Sequence, residues 1–183
     1  MILTGHQIIE MMREEQIVGA LPHLVETTSL DVRLQDKILK ETKARGQLHF
    51  HADPYNPKMQ HFEMHQIKPN GEFIFPGEFF LAATIEYLKL PNNVSAEFML
   101  KSSIARMGLE HSKSGWIEAG FEGTITLELK VVTQYHKFKI YAGMPIGQIV
   151  FHKHMPTGEL AYDKRGRYSG QKHPQMSKGV KKP

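Results

Sequence analysis

The strongest constraint on this chain is a period of two. Ser29-Leu-Asp-Val-Arg-Leu34 alternates apolar and polar residues, and so in outline do residues 73–75, 79–82, 124–132, 138–141 and 146–151. Successive side chains of a strand point to opposite faces, so each run has one face to bury. Turn formers punctuate the runs: Pro69-Asn-Gly71, Pro76-Gly77, Pro91-Asn-Asn93, Ala142-Gly143 and Met144-Pro145. Helical spacing is clear in residues 5–16 alone, where Thr4 is a plausible N-cap and Ile8, Ile9, Met11 and Met12 form an apolar stripe. Residues 102–107 read as a single helical turn among strands. So few helices cannot cover so many strands, and the strands must cover one another. The expectation is a mainly β barrel or double-sheet jelly roll with a short N-terminal helix.

No repeat or linker interrupts the 183 residues, a length that suits one domain with a sizeable core. Met11, Met12, Met99 and Met107 are expected as core filler. No stretch approaches the roughly 18 apolar residues of a membrane span, and the first residues lack the apolar centre of a secretory signal. The chain has no cysteine, which removes disulfides, thiol nucleophiles and cysteine-zinc sites. A cytoplasmic protein is expected. The formal charge of +4 is uneven: residues 164–183 hold seven Lys and Arg and no acid, leaving −3 for the remainder. Residues 1–162 therefore read as the folded domain and residues 163–183 as a basic, glycine-containing, mobile arm. No basic face interleaved with aromatics is visible before the arm, so no specific nucleic-acid partner is expected.

Two segments can carry chemistry. Lys101-Ser-Ser-Ile-Ala-Arg106 places two hydroxyls and two cations within six residues, a cradle for an anion. In residues 115–128 glycines allow a tight turn and close approach of backbone to a ligand. In the strand that follows, Thr124, Thr126 and Glu128 share one face. A carboxylate in mid-strand runs against propensity, though a lone Glu there is more often simply solvated. His49 and His51, with His61 and His65 after them, have the composition of a cupin-type metal site but lack its glycine and glutamate spacing. No metal site is expected there.

Taken in order, the segments resemble the dCTP deaminase family, a branch of the trimeric dUTPase fold. The resemblance rests on Ser29–Leu34, on Pro76-Gly-Glu-Phe-Phe-Leu-Ala-Ala-Thr-Ile-Glu86, on residues 101–109, on Gly143-Met-Pro-Ile-Gly-Gln148, and on Arg167-Tyr-Ser-Gly-Gln171 with Pro174 and Ser177. It is weakest over residues 40–68. It implies a dUTPase-like barrel or jelly roll and a homotrimer whose sites draw on more than one subunit. It also implies an arm that closes over a nucleotide. Glu128 matches the catalytic glutamate, with Ser102 and Arg106 completing the pocket. Lys101 and Ser103 match phosphate positions, Glu118 a sugar position, and Thr126 and Leu127 the base pocket; Gln148, Tyr162, Arg167 and Gln171 match phosphate and lid positions.

The implied reaction is hydrolytic deamination of dCTP to dUTP and ammonia, with possible continuation to dUMP and pyrophosphate. Mg²⁺ is expected to accompany the triphosphate. Zinc is not expected, because the zinc deaminases need cysteine ligands. Gly115-Trp116-Ile117 resembles the bifunctional members, whereas Glu118 stands where they carry Asp. That extra methylene leaves the second step open, since a misplacement of about 1 Å can cost of order a hundredfold. Lys101 for the family's Arg keeps charge but loses the bidentate fork. The alternatives are a dUTP diphosphatase alone and a non-catalytic, nucleotide-sensing trimer.

Overall fold

The structure, a computed structural model, describes residues 1–42 and 52–180. In chain order the elements are α1 (Gly5–Arg13), β1 (Ile17–Val18), β2 (Leu30–Arg33), β3 (Lys37–Glu41), β4 (Phe62–Gln66), β5 (Glu72–Ile74) and β6 (Phe79–Lys89). There follow β7 (Val94–Leu100), α2 (Ser102–Ala105), β8 (Leu109–His111), β9 (Trp116–Ile117), β10 (Glu122–Val131), β11 (Phe138–Ile140), β12 (Pro145–Lys153) and α3 (Tyr162–Arg165). The strands pair antiparallel in a large sheet ordered β4-β3-β6-β10-β8, with β1 also on β6, a second sheet ordered β2-β12-β7-β9, and the ribbon β11-β5. The mainly β expectation holds. Among the described residues no helix is long and apolar enough to cross a membrane.

One core runs between the two sheets. Leu127 and Leu129 of β10 and Phe80 and Ala82 of β6 pack in one cluster with Val32 of β2, Phe98 of β7, and Ile149 and Phe151 of β12. The alternation read from the sequence is the cause: in β10, Leu127, Leu129 and Val131 are buried while Glu128 and Lys130 lie on the other face. α1 is fastened by a capping box between Thr4 and Gln7 and buries Ile8 and Met11. It ends before Gln16 because Glu15 turns left-handed, with φ 56°. Met99 and Met107 are 39% and 64% exposed, so they are not core filler; β7 and the turn after α2 aim them outward.

Two devices tie the site to the core. Between Thr124 and Thr126 the β10–β6 register shifts, and the fully buried Thr84 fills the gap: its Oγ1 accepts from the Ile125 amide at 3.0 Å and donates to the Glu86 carbonyl at 2.8 Å. Glu86, fully buried, accepts from Arg33 Nε at 2.7 Å and from the Arg33 amide at 2.8 Å, which joins the two sheets through one ion pair. A basic and aromatic face does occur before the arm. The β5–β11 ribbon sets Lys137 and Lys139 over the Phe73 ring at 4.1 and 5.2 Å, and pairing of distant strands hides it from a linear reading.

The arm lies docked against β10. Gly123 bridges Gln171 in parallel, the Thr124 amide donates to the Gln171 carbonyl at 2.9 Å, and Gln171 Nε2 donates to the Thr124 carbonyl at 2.6 Å. A Cβ on Gly123, whose φ is 147°, would stand 3.2 Å from that Gln171 carbonyl, so glycine is what admits the arm. Farther on, Gln60 and Ser177 exchange hydrogen bonds at 3.1 and 3.3 Å, and the Val180 amide reaches the Pro54 carbonyl at 2.8 Å.

Candidate active site

Glu128 sits in mid-β10 on the face away from the core, where alternation must put it if Leu127 and Leu129 are buried. It faces a cavity of about 380 Å³. Phe79, Leu81, Phe121 and Ile125 supply apolar lining, while Ser114, Glu118 and Thr126 join Glu128 in the polar part. Tyr162, the last residue before the arm, also lines it, and the arm contributes Tyr168, Gln171 and Gln175. Such a site is apolar enough to hold a flat ring and has a few polar groups to orient it.

The Glu128 carboxylate is half-buried, and both of its side-chain donors converge on Oε2: Ser114 Oγ donates at 2.7 Å and His111 Nε2 stands at 3.4 Å. Burial is the largest single influence and pushes its pKa up. The hydrogen bonds from His111 and Ser114, with the attraction of His111, outweigh it together and hold the carboxyl below its ordinary value. At neutral pH Glu128 is therefore ionised and able to take a proton. His111 comes from β8, paired opposite Leu129, and its ring lies edge-on to Phe98 at 4.8 Å.

The sequence-derived residues divide into groups. Glu118, Thr126, Tyr162 and Gln171 line the cavity with Glu128. Lys101 and Gln148 belong to a second cluster in the other sheet: Lys101 Nζ pairs with Asp31 Oδ2, and Gln148, opposite Asp31 in the ladder, accepts from Ser29 Oγ at 3.3 Å. Ser102 and Ser103 on α2 and Arg106 at its C-terminal cap are exposed and do not line the Glu128 cavity within one chain. The Leu127 side chain is wholly buried in the core, so only its main chain can face the site between Thr126 and Glu128. Arg167 is turned inward on the arm, donating to the carbonyls of Lys178 and of Gly179, the latter at 2.5 Å, rather than to the cavity.

Sequence reasoning missed His111, Ser114, Gln60 and Gln175 beside this cavity. Only the β8–β10 register brings His111 to Glu128, and only the docked arm brings Gln175 to Thr126, whose Oγ1 accepts the Gln175 amide at 3.3 Å. His49 and His51 lie outside the described residues. Among the described residues no group of three or more His, Cys, Asp or Glu is arranged to hold a metal ion.

A two-sheet antiparallel β protein with an ionised, half-buried glutamate in an arm-covered cavity is built for acid–base chemistry on a small molecule. The sequence profile of dCTP deaminase-like proteins matches residues 2–154, and the chain belongs to that family. It is 39% identical over 183 residues to the "dCTP deaminase, dUMP-forming" of Methanosphaerula palustris, covering 97% of this chain and 95% of that protein. The protein so named from Bifidobacterium adolescentis is 36% identical over 162 residues, 86% of this chain and 82% of the relative. The fold resembles the crystal structure of 2′-deoxycytidine 5′-triphosphate deaminase from Agrobacterium tumefaciens, with a TM-score of 0.66 at 22% identity; the match covers 83% of this chain and 47% of that one.

Proposed function

We propose that the protein hydrolyses dCTP in two steps, first to dUTP and ammonia and then to dUMP and pyrophosphate. The observation that carries the reading is Glu128: ionised, held by two donors, and facing a ring-sized cavity under the arm. In the first step Glu128 takes a proton from water as the oxygen attacks C4 of cytosine. It passes the proton to N3, and a second transfer to the exocyclic nitrogen lets the C4–N bond break and ammonia leave. The names of the relatives, which include "dUMP-forming", support the second step. Glu118, in the same cavity, is the carboxylate available for the phosphate-directed water.

Ser102, Ser103 and Arg106 are assigned to a neighbouring subunit's cavity, which is how exposed residues on α2 would reach a nucleotide in a homotrimer with shared sites. Lys101 and Gln148 are assigned to the phosphates. Arg167 serves by shaping the arm, and Leu127 by fixing the strand. Mg²⁺ would enter with the triphosphate, and the buried Asp31 Oδ1, which has no hydrogen-bond partner, is a hard oxygen suited to its hydration shell. The setting of such a nucleotide-pool reaction is the cytoplasm. Incubation with dCTP and Mg²⁺, followed by separation of dCTP, dUTP and dUMP, tests the reading. Formation of dUMP is expected; accumulation of dUTP would confine the protein to the first step, and unchanged dCTP alongside hydrolysis of added dUTP would favour a diphosphatase. Mixing inactive Glu128→Gln with inactive Arg106→Ala tests the shared site, since mixed trimers should recover activity.

A further inference from the structure

We infer that His111 and Ser114 are positioning residues that dedicate the two oxygens of Glu128 to different tasks. The inference rests on the proposed role of Glu128 and extends it to groups outside that assignment. Both side-chain donors fall on the same oxygen: Ser114 Oγ at 2.7 Å and His111 Nε2 at 3.4 Å from Oε2. They approach from different elements. His111 is carried by β8, whose register with β10 is fixed by the pairs Leu129–His111, Lys130–Glu110 and Val131–Leu109. Ser114 belongs to the connection to β9, and that connection is itself held to the ladder by the Ser112 amide, which donates to the Glu128 carbonyl at 2.9 Å. The His111 side chain is only 8% exposed and lies edge-on to Phe98, so the imidazole cannot swing away without uncovering Phe98.

A carboxylate with one oxygen bound twice presents the other to the cavity in a fixed direction. Oε2 stays charged and tethered, and Oε1 carries the proton between water, ring nitrogen and leaving amine. This also removes the rotation about the last side-chain bond that would let a proton settle on the wrong oxygen. The other titratable groups facing the carboxylate are few. Glu118 follows β9, Tyr162 opens α3, Tyr168 comes from the arm, and β6 lines the cavity with Phe79 and Leu81. His111 is thus the cationic partner, when protonated, that the described residues supply to this carboxylate.

The test uses the full-length protein with Ser114→Ala, Ser114→Thr and His111→Asn. Its first readout is the titration of the Glu128 carboxyl by ¹³C NMR, assigned by its absence in Glu128→Gln. Its second is the pH profile of dCTP deamination. Loss of either donor should move the Glu128 titration and the acid limb of kcat/KM to higher pH. It should lower kcat about tenfold, the loss of one hydrogen bond to a charged group, with KM changed little. Ser114→Thr, which keeps the hydroxyl, should restore both. Ser114 is exposed, so its alanine variant will fold even if His111→Asn does not. An unmoved Glu128 titration in Ser114→Ala would overturn the inference. A moved titration in a protein that does not deaminate dCTP would instead overturn the proposed reaction and leave the positioning intact.

Discussion

Replacing Gln171 with alanine should loosen the arm by an amount that can be worked out from two opposed effects. The residue is 6% exposed, its Nε2 donates to the Thr124 carbonyl at 2.6 Å, and its Oε1 is buried without a partner. Alanine leaves the Thr124 carbonyl without that donor, a cost of about 1–3 kcal/mol, but it also removes an unsatisfied oxygen whose burial was itself unfavourable. The difference should lie near 1 kcal/mol, or about fivefold in the ratio of open to closed arm. The variant has a built-in reporter. The Thr124 amide donates to the Gln171 main-chain carbonyl at 2.9 Å, a bond that alanine keeps, so its hydrogen exchange measures arm opening. Exchange at Thr124 should quicken about fivefold while the amides of Leu127 and Leu129, inside the β10–β6 ladder, stay protected. Were Thr124 exchange unchanged, Gln171 would be a passive passenger, and the arm would be held by the Gln60–Ser177 and Gly170–Glu122 links instead.

Glu128→Gln should lower deamination by about 10²–10⁴ while nucleotide affinity, measured by calorimetry, changes little, because the amide keeps the shape but cannot take a proton. Its stability should also respond to pH: a carboxyl held below its ordinary value stabilises the fold above that value, and the contribution disappears as pH falls through the folded-state pKa. Thermal melts of wild type and Glu128→Gln should therefore converge on acidification and separate near neutrality. Arg33→Leu leaves the fully buried Glu86 without its counter-ion and should destabilise by about 3–5 kcal/mol in chemical denaturation. Leu127→Ala, at a fully buried core position, should cost about 2–5 kcal/mol and reduce activity only as far as β10 is displaced.

What the sequence discloses follows from which interactions are local. β10 is legible because period-two alternation is a property of neighbouring residues, and that alternation alone turns Glu128 away from Leu127 and Leu129. β7 passes unnoticed although Val94, Ala96 and Phe98 alternate in it, because no glycine or proline marks its C-terminal end. β4 could not be read at all. Phe62 and Met64 alternate with Glu63 and His65, but the run is only five residues long, none of them is buried, and the strand is held by backbone pairing with β3. The docking of the arm is hidden for a related reason: its composition is that of a mobile end, and what seats it is main-chain hydrogen bonding to Thr124 plus one amide side chain.

The same division explains the site. Residues that bear chemistry by type and motif, such as Glu128, Ser102 and Arg106, are conspicuous in the sequence. Residues that matter by register are not. His111 is unremarkable in Leu109-Glu-His111 until β8 is laid against β10, and Gln175 is unremarkable until the arm crosses Thr126. Within one chain, Ser102 on α2 and Arg106 at its C-terminal cap are exposed, and the cavity at Glu128 is lined without them. A single chain thus holds Glu128, its hydrogen-bond partners and the docked arm around one cavity, but displays the Ser102, Ser103 and Arg106 side chains outward. If the proposed trimer brings those groups to a neighbour's Glu128, assembly becomes a condition for catalysis. Activity should then fall on dilution in step with dissociation measured by sedimentation, and a dissociated but folded chain that kept full turnover would show that one chain suffices.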